Sequence, residues 1–164
     1  MIHPILRHPH PVLTAKAQPV EHITDAIRTF AADMLETMYA APGRGLAAPQ
    51  IGLSLRLFVM DPGWKEGTPA PLIAINPVIT PLGEGTATGD EGCLSIPGIT
   101  TAITRPAHVR LDYTDTEGRA QSVELTGFAA ACAQHEADHL DGVLTLDRLD
   151  AAARAQAEED YAAL

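Results

Sequence analysis

Apolar positions along this chain change period several times, and each change predicts an element. Ile27, Phe30, Met34 and Met38 recur at spacings of three and four, the stripe of an amphipathic helix. Thr24 before Asp25 reads as its N-cap, and Pro42-Gly43 ends the run. Upstream, Pro4, Pro9, Pro11 and Pro19 break any helix, so the segment to about residue 22 is predicted irregular. Strand signals follow at 55–61 and 72–79, with Pro77 marking an edge or a bulge. Residues 82–90 are rich in Gly and Thr and read as a connection. Runs at 103–114 and 120–125 flank Asp115-Thr116-Glu117-Gly118, the pattern of a hairpin. An apolar, alanine-rich helix is predicted over 127–141, with Gly142 at its C′ stop, and an acidic one over about 149–162. Helix, antiparallel strands, then helices give an α+β class.

Length and composition narrow the picture. A chain of 164 residues, 46% hydrophobic, suits one domain spanning 1–164 that folds without staples. No apolar run reaches the length of a membrane span, so no membrane partner is expected. Residues 1–7 lack the apolar stretch of a secretory signal. Two cysteines, Cys93 and Cys132, make no disulfide framework, and a reducing cytoplasm is the expected compartment. A net charge of −10 argues against direct nucleic-acid binding through a broad basic surface. Nothing demands an oligomer, so a monomer is expected.

The alanine-rich helix carries the densest chemistry, Gln134-His135-Glu136-Ala137-Asp138-His139. Residues four apart share a helix face, so His135 and His139 can aim at one metal ion. Glu136 stands beside the first of them, where a general base can reach a water on that ion. Glu91-Gly92-Cys93-Leu94-Ser95 offers a thiolate, and Cys93 could complete a Cys-His-His set that leaves one position open. In Gly43-Arg44-Gly45-Leu46-Ala47-Ala48-Pro49-Gln50, small residues allow close backbone approach to a ligand. Gln50 adds an amide donor suited to an oxyanion. Cys132, three residues before His135, could be a fourth ligand; the preferred reading is a small buried residue facing the core or a pocket. His3, His8, His10, His22 and His108 read as surface or turn residues, and Glu158-Glu159-Asp160 as a solvated helix face.

These three motifs, in this order, resemble those of the peptide deformylase family: G-x-G-x-A-A-x-Q, E-G-C-L-S and H-E-x-D-H. Pro9-His10-Pro11-Val12-Leu13, Pro19-Val20, Asn76-Pro77 and Arg105-Pro106 extend the resemblance over nearly the whole chain. It implies mixed and antiparallel sheets packed around a central helix bearing H-E-x-x-H, with a C-terminal helix beyond. It implies a hydrolase that removes the N-formyl group from the formyl-methionine of new polypeptides and releases formate. Cys93, His135 and His139 would hold one divalent ion, Fe²⁺ first, with Zn²⁺, Ni²⁺ or Co²⁺ able to substitute. Glu136 would move the proton, and Gln50 and the Leu94 backbone N–H would hold the oxyanion. The peptide would lie along 43–48 as an added strand, on Gly43, Arg44, Gly45 and Leu46, with Ala131 and Cys132 on the turn that lines the methionine pocket. Glu91 is a candidate acceptor for a ligand histidine, and Arg105 with Asp138 a brace for the helix.

Several residues depart from the family pattern. Arg44 stands where an apolar residue is usual, and could narrow the pocket or snorkel outward. Residues 129–133 are smaller than the branched residues common on that turn, and Thr100 replaces an Arg found in some members. The acidic tail lacks the basic helix with which some members sit on the ribosome, so any ribosome contact would be transient. These departures motivate an alternative, a paralogue acting on a different N-formylated or N-acylated amine. A zinc endopeptidase fits less well, because a Cys inside E-G-C-L-S does not match the His/Glu ligand sets usual there. A non-enzymatic metal-binding protein would be indifferent to Glu136→Ala.

Overall fold

In the computed structural model, which describes Met1–Leu164, the predicted stripe becomes α1 (Asp25–Ala40). The Thr24 hydroxyl accepts from the Ile27 N–H at 3.3 Å, the expected N-cap, worth about 1 kcal/mol. A short β1 (Gly45–Ala47) follows, then β2 (Leu57–Met60) and β3 (Leu72–Pro81). Next come β4 (Thr86–Cys93), β5 (Ile96–Pro106), β6 (His108–Thr114) and β7 (Ala120–Thr126). The chain ends in α2 (Gly127–Leu140) and α3 (Ala151–Ala162). No helix is long and apolar enough to cross a membrane.

The main sheet is antiparallel, in the order β1-β2-β3-β6-β7, and it is covered on both faces. Strand alternation sorts its residues between the two helices. Leu46, Leu57, Val59 and Ile75 pack with Ala31, Met34 and Met38 of α1. Ala47, Phe58, Met60 and Ala74 pack on the other face with Cys132, Ala133 and Leu140 of α2. That is why β2 reads as a continuous apolar run. Phe58 lies between Ala47 and Ala74 on the neighbouring strands, so the fully buried ring fills the space the alanines leave. Such a ring is worth about 3–5 kcal/mol against Ala.

The Pro77 signal marks a bulge: the β3–β6 register shifts between Ile75 and Val78. Asn76 takes φ 50° there, a conformation Asn tolerates, and is anchored by two bonds to the Val20 backbone at 2.8 and 2.9 Å. The hairpin at 115–118 joins β6 to β7 as expected, with Thr114 opposite Ala120. Gly142 stops α2 at φ 73°, with its own N–H donating to the His139 carbonyl and that of Val143 to Asp138, the paired bonds of a Schellman cap. Exposed Glu158, Glu159 and Asp160 on α3 match the solvated face expected.

Two expectations about elements are corrected. Residues 82–90 are not simply a connection, because β4 begins at Thr86 and pairs with β5 as a separate two-stranded sheet. Most of β4 is exposed, so no buried alternation betrayed it; backbone pairing makes the strand. Residues 103–114 are not one strand either. The chain leaves β5 at Pro106 and enters the main sheet at His108, so the run serves two sheets.

Candidate metal centre

α2 runs across the main sheet and carries both histidines on its buried side, with His135 at 9% and His139 at 1% exposure. Cys93 ends β4, which brings its thiol to the same point; its Sγ is 3.5 Å from His139 Nε2. One ligand atom from each of Cys93, His135 and His139 lies within 4.8 Å of the other two. A tetrahedral ion with ordinary metal–sulfur and metal–nitrogen bonds sets sulfur and nitrogen about 3.5 Å apart. The donor set and its spacing therefore fit a single divalent ion. Both cysteines are free thiols, and Cys132 stands outside the cluster, with its Sγ 3.6 Å from the Arg44 carbonyl.

His135 is oriented from behind, whereas His139 Nδ1 has no partner within the protein. His135 Nδ1 lies 3.0 Å from Glu91 Oε1, which leaves Nε2 free for a metal. Arg105, 6% exposed, grips Glu91 through two bonds of 2.7 and 2.9 Å and reaches Asp138 at 2.9 Å. Arg148 closes the chain on Asp138 at 2.7 Å. Burial pushes the Glu91 carboxyl up, but the Arg105 guanidinium and then His135 outweigh it and hold it at about 2. Burial drives His139 well below its ordinary value, which favours the neutral, ligating form. Breaking a buried set like this typically costs about 3–5 kcal/mol, because a charge is left without its partner.

Glu136 is 4% exposed, and its Oε1 has no partner within the protein. Burial pushes this carboxyl up to about 7, suited to a group that takes and returns a proton near neutrality. Gln50, 1% exposed, is held in a definite flip state: Oε1 accepts from the Ala47 N–H at 2.9 Å. Its Nε2 therefore faces Cys93 Sγ at 3.8 Å and donates to Ser95 Oγ at 3.0 Å.

A cleft of about 830 Å³ opens over this cluster. Cys93, His135, Glu136, Gln50 and Leu94 line it, as do Gly43, Arg44, Gly45, Ala131 and Cys132. Leu46 does not: its side chain is fully buried under α1, and only its backbone lies on the strand beside the cleft. β1 is an edge strand paired on one side only. Arg44 snorkels: its guanidinium bonds the Pro62 carbonyl at 2.6 Å, forms a bidentate pair with Glu66, and rests 5.4 Å from the Phe128 ring. Thr100 also lines the cleft.

Sequence reasoning missed three contributors. Ser95 lies within the second motif without an evident role, yet it is fully buried against the Gln50 amide. The loop carrying Trp64 and Glu66 is stapled to the first motif, Trp64 Nε1 donating to the Gly43 carbonyl at 2.8 Å. The proline-rich N-terminal segment supplies Ile5 and Arg7 to the cleft wall. Neither that loop nor the Ile5 and Arg7 positions carried any signal in motif or periodicity.

The chain as a whole resembles known proteins. The family model for polypeptide deformylase matches residues 2–155. A peptide deformylase of Acinetobacter baumannii (strain SDF) is 47% identical over 156 residues, covering 95% of this chain and 88% of that one. The crystal structure of peptide deformylase from Thermus thermophilus superposes with a TM-score of 0.90 at 46% identity, covering 99% of this chain and 95% of the other. That from Legionella pneumophila gives 0.92 at 37% identity, covering 99% and 95%. With fold, ligand cluster and relatives in agreement over nearly the full length, the chain belongs to the polypeptide deformylase family.

Proposed function

We propose that Glu136, Gln50 and the Leu94 backbone N–H carry the family's reaction around one divalent ion held by Cys93, His135 and His139. That reaction is hydrolysis of the N-formyl group from the formyl-methionine of newly made polypeptides. When bound, the ion supplies Lewis acidity, which polarises the formyl carbonyl and makes water acidic enough to attack at neutral pH. Glu136 takes a proton from the attacking water. The charge that develops on the formyl oxygen is met by the Gln50 amide and the Leu94 N–H. The carbon–nitrogen bond then breaks, Glu136 returns its proton to the amine, and formate leaves. The substrate backbone lies along β1 as an added strand, against Gly43, Arg44, Gly45 and the Leu46 backbone, with the methionine side chain toward Ala131 and Cys132.

What supports this reading above all is one conjunction: an unpartnered Glu136 oxygen and a pre-aimed Gln50 amide beside a Cys-His-His cluster. We assign Fe²⁺ as the ion in the cell, a choice compatible with mixed sulfur and nitrogen ligands, which also accept Zn²⁺, Ni²⁺ or Co²⁺. The same reading makes the protein a cytoplasmic monomer whose contact with the ribosome is brief, since α3 is acidic.

The test is formate release from formyl-Met-Ala-Ser by metal-loaded protein. The wild type releases formate. Glu136→Ala loses on the order of 10²–10⁴ in rate while its metal content, measured by elemental analysis, stays at that of the wild type. Unchanged turnover in that variant would remove Glu136 from the reaction.

A further inference from the structure

The cleft is larger than a formyl-methionine requires, and its wall extends to the N-terminal segment. Three permanently cationic side chains line it: Arg7, Arg44 and Lys65. Two of them are engaged. Arg44 is paired with Glu66, and Lys65 Nζ donates to the Pro42 carbonyl at 3.1 Å beside the Trp64 ring. Arg7 is exposed, and its guanidinium makes no hydrogen bond or ion pair.

The backbone under Arg7 is held firmly. The Leu6 N–H donates to the Gln50 carbonyl at 2.7 Å and the His8 N–H to the Ser95 carbonyl at 2.8 Å. The Arg7 carbonyl accepts from the His10 N–H at 3.0 Å. Arg7 is thus stitched on either side to two segments of the catalytic cluster, with its charged head free. Of the acidic residues on the cleft, Glu91 is bound by Arg105 and His135, Glu136 faces the ligand cluster, and Asp90 is exposed on β4. The molecule as a whole carries −10, so a free guanidinium here opposes the sign of its surroundings.

We propose that Arg7 is a specificity-determining residue for the chain downstream of the formyl-methionine, favouring an acidic side chain in the second to fourth position. The inference rests on reading the cleft as the formyl-peptide site. An extended peptide advances about 3.3 Å per residue, so those three positions sweep about 10 Å of cleft.

The experiment compares kcat/KM for formyl-Met peptides carrying Glu or Gln at position two, three or four. It uses the metal-loaded wild type, Arg7→Gln and Arg7→Glu. In the wild type the Glu peptide is favoured about two- to fivefold at one position, the range of an exposed ion pair. The advantage lies in KM and shrinks as salt is raised. Arg7→Gln brings the ratio to one, and Arg7→Glu inverts it. A ratio that is the same in all three proteins at every position overturns the inference, as does an equal loss on Glu and Gln peptides in Arg7→Gln. Formyl-Met-Ala-Ser left intact by the wild type overturns the reading of the site, and the inference with it. Processing of that peptide with an invariant ratio overturns the inference alone.

Discussion

At the scale of single residues, Gly45 shows how little room the centre leaves. A Cβ built there would lie 2.8 Å from Glu136 Cδ, closer than side chains come without displacement. The position is glycine because the Glu136 carboxylate stands against the β1 backbone. Gly45→Ala should therefore push the carboxylate off its station while the fold persists. We expect formate release to fall by about 10², the effect of misplacing a catalytic group by about 1 Å. An unshifted melting temperature beside that loss would locate the damage at the site, and full activity would show that Glu136 has more freedom than the packing allows. His135, Glu136 and His139 were legible because their spacing is local and regular, and Cys93 and Gln50 because each stands in a short motif of the family pattern. Ser95 was not, because its role is to receive the Gln50 amide across 45 positions of sequence.

At the scale of elements, the ends of α1 and β2 are tied by a phenol. The Tyr39 hydroxyl donates to Asp61, whose Oδ2 also accepts from the Ala70 N–H at 3.0 Å. Tyr39 stacks edge-on against Trp64 of the same loop. Burial first, then the Asp61 carboxylate, pushes the Tyr39 phenol up to about 12. Its folded value exceeds its unfolded value of about 10, so the neutral form stabilises the fold. That contribution is whole below about pH 10 and is lost as pH rises toward about 12. The urea midpoint of the wild type should fall across this window, and that of Tyr39→Phe should fall less. Parallel curves for the two proteins would dissociate Tyr39 from alkaline stability. Elements with buried periodicity, α1 and β2 above all, could be read from the chain. β4 could not, since a polar, exposed strand carries no alternation and exists only because β5 pairs with it.

For the whole molecule, the ion links α2 to the end of β4, so its binding energy becomes folding energy. At a free ion concentration about a hundredfold above Kd, binding adds about 2.7 kcal/mol. For a chain of this size that is roughly 5–11 °C in Tm. Removing the ion with a chelator should lower Tm by that amount, returning it should restore Tm, and Cys93→Ser should respond weakly to either treatment. Indifference of the wild type to chelation would mean that the cluster holds no ion in solution. By itself the sequence determined the class of elements and the residues that cluster as metal ligands, because periodicity encodes helix faces and short motifs carry metal-binding chemistry. Only tertiary structure decided the rest: which sheet β4 joins, that Arg105 grips Glu91 besides the expected Asp138, where Glu66 draws Arg44, and that Arg7 stands free on the cleft wall. Those are contacts between residues distant in the chain, and no local pattern specifies them until the core brings the elements together.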